Sequence, residues 1–487
     1  MRIGDLEPRE VWVRFEELCA IPRPSGDEGR AADHVQAFAE SRGLEFLRDG
    51  ADNVLIRKPA RGPGRVGNPP LALQAHLDMV PEKTGSSSHD FHRDPIRPVI
   101  DGDWVTSPDT TLGADNGIGV AVMLAILDSE ELPHPPLECI FTTDEERGLT
   151  GASSLDPGWI TARRMINLDS EDLDVFTIGC AGGADHVLRT RIPLTKGRSC
   201  VPLSVRGLRG GHSGIEIDGN RGNAIRFLAR ALGRINCGAG IQAGYLWGGS
   251  KRNAIPREAG CMVAVPEDDG GRLGEEVLRL EKELRLEYSG IEDSIRVELG
   301  GEASDAPVMA PEQIRRVTDL LLSLPHGVEK MSGSIPGLVE TSVNLAVLSM
   351  DGEDLAVQLS VRSPLSSARN ALGERIHAAA RLAGFSAEKG GEYPGWMPDT
   401  GSRLLERMKS IYTGLFGREP EVLSIHAGLE CGIIGDRVGG MEMISIGPDI
   451  RDVHVPGEKV SISSLRKFWE FISAVLAGID GTERHDG

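Results

Sequence analysis

The sequence lacks the features that mark membrane and secreted proteins. Its first residues contain no apolar signal core, and its longest apolar run, residues 117–127, is too short to span a bilayer. The seven cysteines are scattered, odd in number and never arranged as Cys-x-x-Cys, which favours reduced thiols over a disulfide framework. We therefore expect a cytoplasmic protein that has no membrane contact.

Positive charge is also in short supply. Lys and Arg total 53 against 73 Asp and Glu, so the formal net charge is -20. This balance disfavours nucleic acid and anionic membranes as partners, because both are themselves negatively charged. No low-complexity tract is present, and 487 residues suffice for two or three domains with a large core.

The N-terminal part of the chain predicts an α/β sheet. Up to about residue 185, strand-like and helix-like segments alternate, as a mainly parallel sheet requires. The predicted strands are 53–56, 71–75, 137–142 and 164–168, and the predicted helices are 8–18, 29–41 and 117–127. Because these strands are apolar on both faces, we expect helices on both sides of the sheet. The last of the helices is so apolar that it should be buried.

The middle of the chain predicts an inserted lid. Between residues 201 and 299 the segments follow the β-α-β-β-α-β order of a ferredoxin-like unit, and a partial second copy follows between 311 and 383. Residues 393–398, rich in Pro and Gly, are typical of a linker back to the first domain. We therefore predict a discontinuous catalytic domain, residues 1–186 and 397–487, and an α+β lid domain, residues 187–396.

Side chains that can bind metal or transfer protons recur where predicted strands end. His76 and Asp78 follow the second predicted strand. Since residues two apart share a face of a strand, Asp78 could accept a hydrogen bond from His76 and fix the tautomer of a metal-bound imidazole. A lone His at a strand end is more often a structural group, so this pair alone is a weak signal.

Acidic residues follow the other strands. Asp115 precedes the apolar helix, as a helix cap or as a carboxylate that bridges two metal ions. Glu145 and Glu146 follow the third predicted strand, as a solvated turn or as a ligand beside a proton acceptor. Asp169 follows the fourth strand, as a turn residue or another ligand. Because four unrelated turns would rarely all carry ligand chemistry, the combination predicts a two-metal hydrolytic site.

These stretches resemble a known enzyme family. Residues 73–81, 110–119, 145–152, 167–169, 179–183 and 425–432 follow the order and approximate spacing of the dinuclear zinc peptidases that include carnosinases, peptidase T and carboxypeptidase G2. Within that group the chain is most similar to the bacterial aminoacyl-histidine dipeptidases, from its first predicted helix to residue 457. The resemblance implies a zinc-exopeptidase-like catalytic domain of mainly parallel sheet, with a lid of ferredoxin-like units.

The resemblance also implies a ligand set for two zinc ions. His76 and Asp169 would bind one ion. Glu146 and a late histidine, best matched by His454, would bind the other. Asp115 would bridge the two ions. Nitrogen and carboxylate donors of this kind suit zinc, with manganese or cobalt as possible substitutes.

Further roles follow from the same resemblance. Glu145 would be the general base that activates a water bridging the two metals, and Asp78 would orient the first histidine ligand. The peptide bond Asp115–Asn116 would be cis. His426 competes for the place of the late histidine ligand, although we expect it to stand near the substrate.

The predicted lid holds candidates for substrate contacts. His212, in a glycine-rich stretch, is either an exposed loop residue or a donor to the oxyanion; the resemblance implies a lid histidine that reaches the scissile carbonyl. Arg362 could bind a substrate carboxylate with two hydrogen bonds, or be an ordinary surface Arg. Weaker lid candidates are Asn253 and Arg257, and two further candidates for substrate contacts, His426 and Gly428, lie in the second segment of the predicted catalytic domain.

The sequence therefore predicts a metal-dependent dipeptidase for short unblocked peptides, with Xaa-His dipeptides such as β-alanyl-histidine as the leading substrates. Dipeptidases of this superfamily tend to carry Asp, not Glu, at the position of Asp169. One alternative is a related amidohydrolase that acts on N-acylated amino acids. Another is an inactive binding protein on the same fold, which the complete ligand set argues against. A homodimer is possible, and His212 could serve its own subunit or a partner's.

Overall fold

The computed structural model describes residues 2–62, 67–264 and 270–479. The chain divides into two compact units. The first comprises Met1–Cys180, Trp396–Ser424 and Leu429–Gly487, and the second comprises Ala181–Gly395 and Ile425–Gly428. Parts of the predicted catalytic domain (1, 63–66 and 480–487) and of the predicted lid (265–269) lie outside the described residues.

The elements are numbered along the chain. The helices are α1 (Arg9–Cys19), α2 (Gly29–Ser41), α3 (Ala114–Asp128), α4 (Thr150–Ser154), α5 (Ala224–Ala239), α6 (Gly270–Glu287), α7 (Pro311–Ser323), α8 (Ser366–Leu382), α9 (Arg403–Phe416), α10 (Glu430–Arg437) and α11 (Ile462–Gly478). The strands are β1 (Glu45–Arg48), β2 (Val54–Lys58), β3 (Leu71–His76), β4 (Val99–Asp101), β5 (Trp104–Thr106), β6 (Leu137–Thr142), β7 (Arg164–Asn167), β8 (Val175–Cys180), β9 (Gly182–Arg191), β10 (Thr195–Arg206), β11 (Gly211–His212), β12 (Gln242–Gly248), β13 (Ala254–Ile255), β14 (Ala259–Ala264), β15 (Arg296–Leu299), β16 (Ser304–Val308), β17 (Gly327–Met331), β18 (Val339–Asp351), β19 (Asp354–Ser363), β20 (Ser386–Tyr393), β21 (Glu421–Ile425), β22 (Glu442–Ser445), β23 (Ile450–Arg451) and β24 (Lys459–Ser461).

The first unit contains an eight-stranded sheet in the order β1-β2-β6-β3-β7-β22-β8-β21. The pairs β6–β3, β3–β7 and β7–β22 are parallel, whereas β1–β2, β2–β6 and β22–β8 are antiparallel. The predicted parallel arrangement is therefore found at the centre of the sheet. Every residue of β3, β6 and β7 is buried, as expected for strands that are apolar on both faces.

The apolar helix α3 is buried, as its sequence predicts. All its residues from Asn116 to Leu127 are inaccessible to solvent or nearly so. The helix begins at Ala114, earlier than predicted, after Gly113 in the left-handed conformation with φ 71°. It packs against β3 and α1, so its first turn lies at the end of the central strands.

A small four-stranded sheet in the first unit has the order β23-β24-β5-β4. Its strands are two or three residues long, too short for the alternation of polar and apolar residues that reveals a strand in a sequence. Pairing of β24 with β5 brings the C-terminal hairpin β23–β24 to the segment that precedes α3. The turn of this hairpin, residues 452–458, contains two groups of the candidate site.

The second unit has a ten-stranded sheet with two ferredoxin-like halves. In the first half, β10-α5-β12-β14-α6-β15 follow the predicted order, and the strands lie as β15-β10-β14-β12. In the second half, β9-α7-β18-β19-α8-β20 repeat this arrangement as β20-β9-β19-β18. Pairing of β12 with β18 joins the halves, and Leu188, Phe227 and Leu345 contribute to one core. None of the described helices has the length and apolar character needed to cross a membrane.

The second half is thus a complete copy, which corrects the predicted partial one. Its first strand, β9, precedes the entire first half, which is inserted between β9 and α7. No continuous stretch of sequence therefore contains the second copy. Since β9 pairs along its length with β19, the boundary of the second unit falls at Ala181, earlier than the predicted boundary at residue 186.

Candidate active site

Four segments of the first unit bring acids and histidines together. His76 is the last residue of β3, Glu145 and Glu146 follow β6, and Asp169 follows β7. Because these three strands are parallel neighbours, their carboxyl ends lie at one edge of the sheet. The first turn of α3 adds Asp115. All of the predicted metal-binding positions on these strands therefore converge.

Asp115 lies between the two predicted histidine ligands. Its Oδ1 is 3.1 Å from His76 Nε2, and its Oδ2 is 3.2 Å from His454 Nε2. Asp169 Oδ1 is 3.4 Å from His76 Nε2, and Glu146 Oε1 is 2.9 Å from His454 Nε2. Two groups of three donors thus share one carboxylate, and the donor atoms within each group lie within 4.8 Å of one another.

The segment around Asp115 has the geometry that the resemblance implied. The peptide bond between Asp115 and Asn116 is cis. The side-chain amide of Asn116 donates a hydrogen bond to Asp169 Oδ1. Asp115 and Asp169 are thereby held on the same side of His76, in the first of the two donor groups.

Asp78 connects His76 to the two glutamates. Its Oδ1 is 3.2 Å from His76 Nδ1, and it accepts hydrogen bonds from the backbone N–H groups of Glu145 and Glu146 at 3.1 and 3.2 Å. Burial opposes ionisation of Asp78, but His76 and these hydrogen bonds outweigh it and lower the pKa of the carboxyl to about 2. Asp78 is thus ionised and can hold the imidazole with Nε2 toward the donor group.

Glu145 lies close to these ligand candidates, but it belongs to neither of the two groups of three that include Asp115. It forms a third cluster with His76 and Glu146. Burial raises the pKa of Glu145 well above its usual value; the charge of His76 opposes this shift, and the nearby carboxylate of Asp169 adds to it. A carboxyl with raised pKa beside a set of ligands is suited to accept a proton.

The charge of the cluster fits divalent cations. Hydrogen bonds to Asp115 and Glu146 raise the pKa of His454 to about 11. Burial would lower the pKa of His76, but the carboxylates of Asp169 and Asp78 raise it well above its usual value. The acids thus favour protonation of both histidines. A cation bound among the same atoms would replace these protons. Imidazole nitrogens and carboxylate oxygens are the donors that zinc takes in proteins.

A buried carboxyl group that was not predicted lies behind this edge of the sheet. Glu430 Oε2 accepts hydrogen bonds from Gln74 Nε2 at 2.6 Å and Thr142 Oγ1 at 2.7 Å, and Gln74 Oε1 accepts one from Asn167 Nδ2 at 2.6 Å. Burial raises the pKa of Glu430 to about 8. Gln74, Thr142 and Asn167 belong to the three strands that carry the ligands, so this network ties the strand ends together.

His212 lies in a small two-stranded sheet of the second unit, in which β11 pairs with β13. Its Nδ1 accepts hydrogen bonds from the N–H groups of Gly214 and Ile215 at 3.2 and 3.1 Å. Burial, with a contribution from Arg362, lowers the pKa of His212. The imidazole is therefore neutral, and because Nδ1 is an acceptor, the proton resides on Nε2, which is a donor.

Other predicted substrate contacts are found in the same unit, among them His426 and Gly428, which were predicted within the second catalytic segment but belong with residues 425–428 to the second unit. Arg362 is buried and donates from Nη1 to the hydroxyl of Tyr393 at 3.0 Å. His426 Nε2 is 2.7 Å from Ser342 Oγ, and burial together with Arg362 lowers the pKa of His426 to about 3. Among the described residues, His426 belongs to none of the clusters that could hold a metal, whereas His454 does.

The remaining candidates for substrate contacts also lie in the second unit. A Cβ atom at Gly428 would meet the ring of Tyr393 at 2.8 Å, so only glycine fits there. The carbonyl of Asn253 accepts a hydrogen bond from the N–H of Ser213, the residue after His212, at 2.8 Å. Asn253 and Arg257 are exposed, and the side chain of Arg257 covers Gly210.

Two charged residues near the ligands were missed. Arg23 and Glu458 are buried and form hydrogen bonds to the backbone around Asp115. The only signal available in the sequence was position. Arg23 stands between two prolines, and Glu458 closes the charged segment that carries His454.

Comparison with known proteins agrees with this geometry. Residues 72–477 match the family described as Peptidase family M20/M25/M40. The chain is 38% identical over 482 residues to the cytosol non-specific dipeptidase of Escherichia coli (strain K12), which covers 98% of this chain and 99% of that protein.

Solved structures give the same result. The aminoacylhistidine dipeptidase of Vibrio alginolyticus is 39% identical, with 98% of both chains covered and a TM-score of 0.90. Aminopeptidase PepT of Bacillus cereus shares the fold, with a TM-score of 0.56 at 17% identity over 97% of this chain and 99% of that one.

Proposed function

The chain belongs to peptidase family M20/M25/M40 and is a metal-dependent dipeptidase, and we propose that its substrates are short peptides with a free amino terminus, Xaa-His dipeptides among them. One relative is named a non-specific dipeptidase and another an aminoacylhistidine dipeptidase, so the proposed range includes both. The E. coli relative is named a cytosolic enzyme, and we propose the same compartment here. A homodimer stays a prediction.

We propose that the cluster holds two zinc ions, with manganese or cobalt as substitutes. His76 and Asp169 would bind one ion, and Glu146 and His454 the other. The observation that carries this proposal is the position of Asp115, whose two oxygens face different histidines. A carboxylate placed in this way can bridge two ions, and each ion then has one more carboxylate of its own.

The chain's own residues would conduct the proton transfers. When bound, the metal ions would supply Lewis acidity and lower the pKa of a water molecule. Glu145 would accept the proton of the attacking water and pass it to the amine of the leaving amino acid. Asp78 would keep His76 oriented during this exchange.

The lid residues would recognise the substrate. His212, with its proton on Nε2, would donate a hydrogen bond to the oxyanion that forms when the peptide carbonyl is attacked. Arg362, which among the described residues has no carboxylate within ion-pair distance, would bind the substrate's C-terminal carboxylate. Weaker proposals concern other polar contacts, from Asn253, Arg257, His426 and Gly428.

A substrate panel on reconstituted enzyme tests this proposal. The chelator-treated protein would be reloaded with Zn²⁺, Mn²⁺ or Co²⁺ and given free dipeptides, β-alanyl-histidine, N-acetylated dipeptides and dipeptide amides. We expect turnover of the free dipeptides with each metal, and weak turnover of the acetylated and amidated forms. Preferential hydrolysis of N-acylated amino acids would instead establish the alternative amidohydrolase. Failure to bind any metal would contradict the two-metal site.

A further inference from the structure

Arg23 is a fully buried cation, and its hydrogen bonds within the described residues go to backbone carbonyls. Its Nη1 donates to the carbonyls of Leu77 at 2.8 Å and Asp78 at 2.9 Å, and its Nη2 donates to the carbonyl of Gly113 at 2.5 Å. No described carboxylate lies within ion-pair distance of its guanidinium. Arg23 therefore connects the segment after His76 to the segment before Asp115.

Glu458 is a buried acid whose carboxyl group accepts hydrogen bonds from the backbone N–H groups of the segment before and at Asp115. Its Oε2 accepts hydrogen bonds from Leu112 N–H at 2.8 Å and Gly113 N–H at 2.9 Å, and its Oε1 accepts one from Asp115 N–H at 3.1 Å. Three donors at the start of α3 are thus satisfied by one carboxyl group. Their partner comes from the turn of the β23–β24 hairpin, which also carries His454.

The two residues together form a clamp on residues 112–115, which we call the Arg23–Glu458 clamp. Arg23 binds the carbonyl of Gly113 and Glu458 binds its N–H. The sequence of the segment is fitted to the clamp, because a Cβ atom at Gly113 would lie 2.6 Å from Arg23 Nη2, and one at Gly117 would lie 2.5 Å from it. Both residues of the clamp thus form hydrogen bonds with the backbone of the segment that carries Asp115.

We propose that Arg23 and Glu458 are positioning residues that hold His76 and Asp115 in their metal-binding arrangement before any metal arrives. Burying a charged group is costly unless its hydrogen bonds are made. Three backbone hydrogen bonds from each residue meet that condition while fixing two ligand segments. The inference rests on the proposed function only in taking His76 and Asp115 as metal ligands.

Arg23→Met and Glu458→Gln test the clamp. Methionine removes the donors and keeps an unbranched apolar side chain, and glutamine would direct its amide, itself a donor, at backbone N–H groups. We expect each variant to bind Zn²⁺ about 10- to 100-fold more weakly in competition with a chelator, as removal of groups that orient metal ligands does in other sites. The absorption spectrum of the Co²⁺-loaded variants should also change, because the ligand geometry relaxes.

The chain offers a matched control for each substitution. Lys58 is a buried cation that donates to the carbonyls of Ile126 and Leu127 at 3.0 and 3.1 Å, at the opposite end of α3. Glu138 is a buried acid that accepts from the N–H groups of Thr161 and Ala162 at 2.9 and 3.0 Å. Lys58→Met and Glu138→Gln should lower resistance to urea while leaving Zn²⁺ affinity within about twofold, since they hold backbone remote from the ligands.

The outcomes separate positioning from simple stabilisation. If Arg23→Met and Glu458→Gln lose stability like the controls but keep wild-type Zn²⁺ affinity and Co²⁺ spectrum, the proposal is overturned. If Arg23→Met does not fold, Arg23→Lys keeps the charge with fewer hydrogen bonds and should show a smaller loss of affinity. Wild-type protein that binds no metal would refute the proposed function as well, whereas unaltered affinity in the variants refutes the clamp alone.

Discussion

The candidate histidines of the first unit lie among carboxylates, whereas those of the second unit lie near a buried guanidinium. Asp115 and Glu146 raise the pKa of His454 to about 11. Burial and Arg362 lower the pKa of His426 to about 3. One side-chain type is therefore given opposite charge preferences by its neighbours, which decides whether it can serve beside a cation or as a neutral donor.

The same difference extends to the whole of each polar cluster. The first unit gathers five acids around two histidines: Asp78, Asp115, Glu145, Glu146 and Asp169. The second unit places His212 and His426 near Arg362, and burial together with this guanidinium lowers the pKa of both. The negative charge of the first cluster favours cations. The guanidinium and neutral histidines of the second favour anionic or carbonyl groups of a substrate. Residue type alone could not have separated these histidines.

Replacing Asp115 should have the largest effect on the difference between the two units, because it removes a ligand shared by both donor groups of the first unit. Asp115→Asn removes the second anionic oxygen, so the side chain can no longer bridge, and we expect loss of at least one metal ion and of nearly all activity. Metal content after dialysis, measured by elemental analysis, checks this. His454→Gln should likewise lower metal content, whereas His426→Gln should leave it unchanged. Retention of two ions by Asp115→Asn would exclude the bridging role.

Replacing Glu145 should separate binding from chemistry within the first unit. Glu145→Gln keeps the shape but cannot accept a proton, so kcat should fall by about 10²- to 10⁴-fold, the usual contribution of a general base. Metal content should match wild type, because neither donor group that shares Asp115 includes this residue. Unchanged turnover at full metal occupancy would show that another group receives the proton.

A substitution in the second unit should affect catalysis without touching the metals. His212→Asn removes the Nε2 donor, and kcat should fall by about 10²- to 10³-fold, as for loss of one oxyanion donor. His212→Gln, which can place an amide N–H near the former Nε2 position, should recover part of the rate. Equal metal content in both variants is the control. A change confined to KM would assign His212 to ground-state binding.

The parts of the molecule that could be predicted are those whose determinants are local. The strands β3, β6 and β7 are continuous apolar runs, and parallel pairing places their ends together, so His76 and Asp169 could be assigned to one site. The site of His454 depends on the four-stranded sheet of β4, β5, β23 and β24, whose short strands leave no pattern in the sequence. Arg23 and Glu430 were missed for a related reason: their partners are distant in sequence, and nothing local marks a charged residue as buried.

Glu430 is a carboxyl of the first unit that belongs to none of the candidate metal clusters among the described residues, and its replacement should have the smallest effect. Burial raises its pKa to about 8, although the nearby charge of His76 opposes the shift. At neutral pH it is therefore an uncharged acid in the metal-free protein. Glu430→Gln, which resembles that acid and keeps an acceptor for Gln74 and Thr142, should retain activity within about threefold, since a substitution that preserves shape and hydrogen bonds costs little.

The stability of Glu430→Gln relative to wild type should depend on pH. Between pH 4.5 and 8 the folded metal-free chain keeps a proton on Glu430 that the unfolded chain has released, so Glu430 lowers the free energy of unfolding as pH rises, by up to about 1.4 kcal/mol per pH unit. Glu430→Gln lacks this proton. Its stability relative to wild type, measured by urea denaturation after chelation, should therefore increase from pH 5 to pH 8. A constant difference across that range would mean that Glu430 is already ionised at pH 5 in the folded chain, and its burial would then not favour the neutral acid.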